Sequence, residues 1–226
     1  MTYSVAIPAF NASATIKETL LSILAQTASP SEIVVVDDGS SDDTAQIAAS
    51  VSELVRVIRQ ENTGCGQACN RAIQETKEAI VATVDADDLW LPTKMERQIE
   101  VLKAAKDHTI IFANHRQFRH GSDDHLSGEV REGLTRSDLV FYRSDFERIG
   151  DIIDPPGGRG EMIDWLARAR EAGCHFEIVN DVLVLRRIIP GSLSYGRDAS
   201  KDRGYLAVAY RAIQRRKQRD NEGDLS

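Results

Sequence analysis

Short apolar runs alternate with helical patterns through the first half of the chain. Ser4-Val-Ala-Ile-Pro8, Glu32-Ile-Val-Val-Val-Asp37, Leu54-Val-Arg-Val-Ile58 and Ile80-Val-Ala-Thr-Val84 are rich in β-branched residues and end in polar loops, which predicts strands. The Glu32 run shows no alternation, so both of its faces are expected to be buried in a parallel sheet. Between these runs the apolar residues recur at helical spacing. Ile16, Leu20, Ile23 and Leu24 mark a helix from about Thr15 to Gln26, a second spans about Ala45 to Val51, and a third carries Ala68, Asn70 and Ile73. The order β-α-β-α-β-α-β predicts an α/β domain with a doubly wound, mostly parallel central sheet flanked by helices, its strand ends opening on one crevice.

In the second half Pro92 opens a helix reaching about Ala105 on a stripe of Met95, Ile99 and Leu102, followed by a strand at Thr109–Phe112. The polar segment His115 to Arg136 reads as an exposed hairpin or loop; its three histidines are too irregularly spaced for a metal site. A strand at Leu139–Tyr142 and a short helix from Ser144 to Ile149 lead to Asp154-Pro-Pro-Gly-Gly158, expected to be a mobile loop over a site. A helix from Glu161 to Gly173 has acids in its first turn and Arg170 near its end. Strands at Phe176–Val179 and Val182–Arg187, a helix from about Asp202 to Gln218 and a loose acidic tail complete the chain.

The 226 residues suffice for one sizeable core, and a composition 42% hydrophobic and 28% charged is that of a globular protein rather than a disordered one. The net charge of −7 gives nucleic-acid binding no global support. Arg211, Arg215, Arg216, Lys217 and Arg219 form a local basic stretch that could meet an acidic membrane surface, although a solvated helix face is the plainer reading. Cys65, Cys69 and Cys174 fit buried free thiols rather than a disulfide framework. Without a signal-peptide pattern or a membrane-spanning run, the chain is expected in the cytoplasm.

The densest candidate chemistry is Thr83-Val-Asp-Ala-Asp-Asp-Leu-Trp90, where an apolar strand meets three carboxylates. Crowded carboxylates raise one another's pKa, and a divalent cation is the simplest compensation. Asp-x-Asp at a strand end offers hard oxygen ligands for Mg²⁺ or Mn²⁺ and leaves positions for substrate phosphate. Taken alone, the triplet reads more plainly as a solvated turn with Asp88 as a helix cap. Gly64 and Gly66 match no nucleotide-binding glycine signature.

Several motifs act together. Ile7-Pro-Ala-Phe-Asn11, Ile33-Val-Val-Val-Asp-Asp-Gly-Ser-Ser-Asp-Asp-Thr44, Asn62-Thr-Gly64 with Asn70, Val84-Asp-Ala-Asp-Asp-Leu-Trp90 and Gly160-Glu161 resemble, in this order, the family 2 glycosyltransferases of the GT-A fold from about Ser4 to Ile188. The resemblance implies a GT-A single domain over 1–218, with a nucleotide-sugar half (1–105), an acceptor half (106–190) and a C-terminal helical segment (191–218), followed by a flexible tail at 219–226. It implies a metal-dependent, inverting transfer from a nucleotide-sugar donor, UDP-linked by preference, to a hydroxyl acceptor that is a saccharide, a lipid-linked sugar or a peptide. Pro8, Asn11, Asp38, Asn70 and Asp85 would bind the donor, and Asp87 would hold Mg²⁺ or Mn²⁺. The family usually places Glu-Asp at the helix start, with the Asp as base; here the pair is Glu161-Met162, so Glu161, and next Asp164, are the candidate catalytic carboxylates. Ile189 stands where relatives tend to carry a His. These two departures support an alternative, a weakly active or inactive homologue that serves as a nucleotide-sugar-binding or partner module. A sugar-phosphate nucleotidyltransferase fits less well, since its glycine-rich N-terminal loop is missing.

Overall fold

The computed structural model describes residues 2–192, 195–196 and 202–223. The four expected N-terminal strands are β1 (Ser4–Ala9), β2 (Glu32–Asp37), β3 (Val55–Arg59) and β4 (Ile80–Thr83), and they pair in parallel in the order β3-β2-β1-β4. Helices α1 (Ile16–Leu24), α2 (Thr44–Ala49) and α3 (Cys65–Gln74) connect them. Next come β5 (Leu89–Trp90), α4 (Lys94–Ala104), β6 (Thr109–Arg119), β7 (Val130–Arg131), a 3-10 turn (Arg136–Asp138) and β8 (Val140–Tyr142). The chain continues through α5 (Arg143–Ile149), α6 (Glu161–Glu171), β9 (His175–Ile188) and α7 (Arg203–Gly223). The sheet runs on as β4-β8-β6-β9-β5, with β7 paired to β6. It is a mixed sheet in which β1–β2, β2–β3, β1–β4 and β6–β9 pair in parallel and the short pairings β4–β8, β6–β8, β6–β7 and β5–β9 are antiparallel.

Strand side chains point alternately to the two faces, and both faces are covered. Val5, Ile7, Ile33 and Val35 pack with Ile16, Leu20 and Ile23 of α1 and Met95 and Ile99 of α4. Their neighbours Ala6, Val34 and Val36 pack with Ala68, Ala72 and Ile73 of α3 and with Trp165 of α6. Burial on both sides is why these strands read as continuous apolar runs.

The second half departs from expectation in three places. His115 does not begin an exposed hairpin: β6 runs on to Arg119, and His115 is buried with Nδ1 3.2 Å from Asp138 Oδ2. The chain turns back beyond Arg119, and β7 pairs antiparallel with His115 and Arg116 of β6, so the hairpin's first arm belongs to the central sheet, where Phe118 packs with Leu89 and Leu185. The two strands expected after α6 are one, β9, which absorbs Asn180-Asp181 as a bulge against β6 between Ala113 and His115. Asn114 Nδ2 donates to the Asn180 carbonyl at 2.9 Å and secures that bulge. Finally α7 continues through Gly223, past Gln218 where the tail was expected, and residues 224–226 lie outside the described ones.

Candidate active site

The carboxyl ends of β1, β2 and β4 and the start of α3 converge at one edge of the sheet, held together by loop contacts. Asp38 N donates to the Ala9 carbonyl at 2.8 Å, and Asn11 N donates to Ser40 Oγ at 2.9 Å. Beside them β4 ends and the carboxylates of Asp85, Asp87 and Asp88 follow within four residues.

The three carboxylates have different surroundings. Asp88 is buried, accepting from Ser137 Oγ at 2.5 Å and from the Arg187 amide at 2.8 Å. It therefore ties β9 to the 3-10 turn and does not cap α4, whose start it precedes. Its burial, with Asp87 and Asp85 nearby, pushes its pKa well above the usual carboxylate range. Asp85 remains partly open to solvent and is joined by Arg136, Nη1 to Oδ1 2.8 Å. Asp87 has no ion-pair partner among the described residues, and Arg187 reaches only its backbone carbonyl, at 2.8 Å. Burial and then the charge of Asp85 push the Asp87 carboxyl up to about 6.

Arg136 is the residue around which the site is arranged. Its side chain is 4% exposed, with Nη1 on Asp85 and Cys65 Sγ and Nη2 on Glu161 Oε1 at 2.9 Å. The turn that carries it is over-determined. Thr135 and Asp138 form a capping box, Thr83 Oγ1 donates to the Arg136 carbonyl at 2.6 Å, and Trp90 Nε1 donates to the Ser137 carbonyl at 3.1 Å. Cys65, pushed up to about 12 by burial, accepts from the guanidinium as a neutral thiol. Sequence reasoning missed Arg136, which it left at the end of a polar loop; the Thr135-x-x-Asp138 spacing was the available signal.

Glu161 is the first residue of α6, and Gly160 before it takes the left-handed conformation with φ 101°, which favours glycine. That turn directs Glu161 to Arg136, while Met162 packs against the apolar cluster containing Trp165 and Phe141. Burial raises the Glu161 pKa, and Arg136 opposes the rise. Met162 is thus half-buried against the core, and the carboxylate directed at Arg136 is Glu161.

Other expected site residues have structural roles. Asp164 is fully buried, with Oδ2 2.8 Å from Arg168 Nε and Oδ1 2.9 Å from Arg215 Nη1, so the geometry removes it as a proton acceptor in the crevice. Asn70 is also buried. Its amide donates to the Ile152 carbonyl at 2.9 Å and accepts from the Ile152 amide at 2.8 Å, which makes it a tie for the loop before α6. The Asp154 loop is anchored beside it, since Asp154 accepts from the amides of Gly66 and Gln67 at the start of α3, 2.9 and 3.2 Å away. A Cβ on Gly66 would approach Asp154 within 2.7 Å, so the glycine makes room for this contact. Asp38 accepts from Gln60 Nε2 and the amides of Thr63 and Gly64, shaping the Asn62–Gly64 loop. Asn11, with φ 47°, accepts from the Ser41 amide at 2.9 Å at the crevice rim, and Pro8 is buried within β1.

No group of three or more His, Cys, Asp or Glu side chains among the described residues is arranged to hold a metal alone. A cation shared between one or two carboxylates and substrate phosphates needs no such cage. Asp87, crowded and in no ion pair among the described residues, fits that arrangement.

The sequence profile of Glycosyl transferase family 2 matches residues 4–159. The chain belongs to this family. TuaG of Bacillus subtilis, a glycosyltransferase assigned by name to teichuronic acid biosynthesis, is 35% identical over 225 residues, covering 94% of this chain and 88% of that one. A glycosyltransferase of Rickettsia bellii described as uncharacterized is 38% identical over 115 residues, half of this chain. The chain spans 17% of that relative's length and 34% of a Rickettsia prowazekii counterpart. Among solved structures, S. aureus TarS in complex with UDP-GlcNAc superposes with a TM-score of 0.74 at 18% identity, over 93% of this chain and 66% of that one. The TarS complex with UDP gives 0.68 at 20% identity, over 84% and 61%. The shared fold is GT-A.

Proposed function

We propose that this family 2 domain transfers a sugar from a nucleotide-sugar, UDP-linked by preference, to a hydroxyl acceptor with inversion at the anomeric carbon. The observation that carries the reading is the pairing of Glu161 with Asp85 through one buried arginine. Glu161 and Asp85 share one guanidinium, which supports reading Glu161 as the base and Asp85 as the donor-side acid. Two TarS structures of the same fold hold UDP and UDP-GlcNAc, which supports a uridine nucleotide as donor.

In this reading Asp87, with Asp85, would hold Mg²⁺ or Mn²⁺. The cation, when bound, would stabilise negative charge on the departing diphosphate. Glu161 takes the acceptor hydroxyl proton as that oxygen attacks C1 of the sugar. Arg136 keeps Glu161 ionised and fixes its direction, while burial raises its affinity for the proton. The buried free thiols suit a reducing compartment, and we place the protein in the cytoplasm. No helix among the described residues is long and apolar enough to cross a membrane.

Slow hydrolysis of UDP-sugars tests the base. Glu161→Gln should lower turnover by roughly 10²–10⁴-fold and leave UDP affinity intact. Equal turnover by Glu161→Gln would remove Glu161 as the base, and no turnover by either protein with any donor would favour a binding module.

A further inference from the structure

Helix α7 has apolar residues on both sides. Its inner side packs through buried Val208 and through charge, Arg215 reaching Asp164 and Glu171 of α6 at 2.9 Å each. Gly204 allows the backbones to touch, since a Cβ there would meet the Arg159 carbonyl at 1.9 Å. Its outer side is apolar. Leu206 is 76% exposed, Tyr210 63% and Ile213 54%, and with Ala209 they follow the i, i+3, i+4, i+7 spacing of a single stripe. Arg203 lies at one end of this stripe and Arg216 and Lys217 at the other, all three exposed. A solvated helix in a chain of net charge −7 would present a polar outer side.

We infer that the outer face of α7 lies on an anionic lipid bilayer, with Leu206, Tyr210 and Ile213 in the headgroup–acyl boundary and Arg203, Arg216 and Lys217 on lipid phosphates. Charge decides between the two simplest occupants. A second copy docked two-fold on the stripe would bring Arg203 of one helix towards Arg216 and Lys217 of the other, a like-charge contact. An anionic surface complements all three cations and accepts the apolar stripe. The helix is also next to the candidate base, because Tyr205 and Val208 lie 3.1 and 3.5 Å from where a Cβ on Gly160 would stand. Membrane contact through α7 would therefore bring the start of α6 close to the bilayer.

Vesicle flotation of the purified chain tests this inference without requiring a substrate. Phosphatidylglycerol-rich vesicles should carry the protein and phosphatidylcholine vesicles should not, with binding falling as salt rises. Combining Arg216→Gln with Lys217→Gln should weaken binding roughly 25-fold, on about fivefold per cation near an anionic surface. Leu206→Ser and Ile213→Ser should each weaken it by roughly tenfold or more. Circular dichroism and unfolding midpoint should stay at wild-type values in these variants, so that lost binding is not lost folding. Equal binding to both vesicle types, binding to neither, or retention by all variants would overturn the inference. So would a dimer in light scattering that Leu206→Ser dissolves in a protein that leaves vesicles unbound, which would assign the face to a second copy.

Discussion

Arg136 carries two carboxylates on one buried guanidinium, so its removal should be felt at both. Arg136→Ala would leave Asp85 and Glu161 without their shared cation, and turnover should fall by roughly 10²-fold or more, with partial recovery in Arg136→Lys. The pH dependence follows from sign. With Glu161 as the proposed base, activity should be lost as pH falls through that group's folded pKa, which burial has raised above the ordinary glutamate range. The acid limb of kcat/KM should therefore lie above that range. Arg136→Gln, by removing the opposing charge, should move it higher still, and a limb that stays in place would disconnect Arg136 from the base. None of this was legible from the chain alone, because the partners of Arg136 lie 51 and 25 residues away. Asp85, Asp87 and Glu161 stood out as candidates because local motifs carry them, whereas nothing local in the sequence shows that the Met162 side chain packs against the cluster of Trp165 and Phe141.

At the scale of elements, two buried polar groups make measurable commitments. Lys94 of α4 is fully buried, its ammonium 4.0 Å from the centre of the Trp90 ring, and burial lowers its pKa to about 7. A lysine whose folded pKa is depressed binds fewer protons folded than unfolded between that pKa and its ordinary one. Stability from this group therefore rises with pH across that window, and below about 7 the full penalty of a buried charge applies. Lys94→Met should raise unfolding free energy by roughly 2–4 kcal/mol near pH 6, with the gain shrinking by pH 10. A pH-independent difference in denaturant melts would refute this.

Asn70 offers the complementary test. Asn70→Ala leaves the Ile152 amide and carbonyl unpaired and should cost about 1–3 kcal/mol of stability while UDP affinity is kept. Loss of UDP affinity in a folded Asn70→Ala protein would restore it as a donor ligand. The parallel strands were readable because burial on both faces leaves continuous apolar runs. β5 is too short to leave a pattern, and the continuity of β9 is hidden by Asn180-Asp181, which looks like a turn until its bulge is paired with β6.

For the whole molecule, one edge of the sheet gathers the donor-side loops, the carboxylates of the Asp85 segment and the start of α6, while α7 packs behind that helix. Titration calorimetry of UDP into wild-type and Asp87→Asn protein, with and without Mn²⁺, bears most directly on the central assignment, a metal-assisted donor site at Asp87. Wild-type should bind UDP more tightly by roughly tenfold or more when Mn²⁺ is present, and Asp87→Asn should lose that increment while keeping metal-free binding. An undiminished Mn²⁺ effect in Asp87→Asn, or UDP binding by the wild-type protein that ignores the metal, would contradict the assignment.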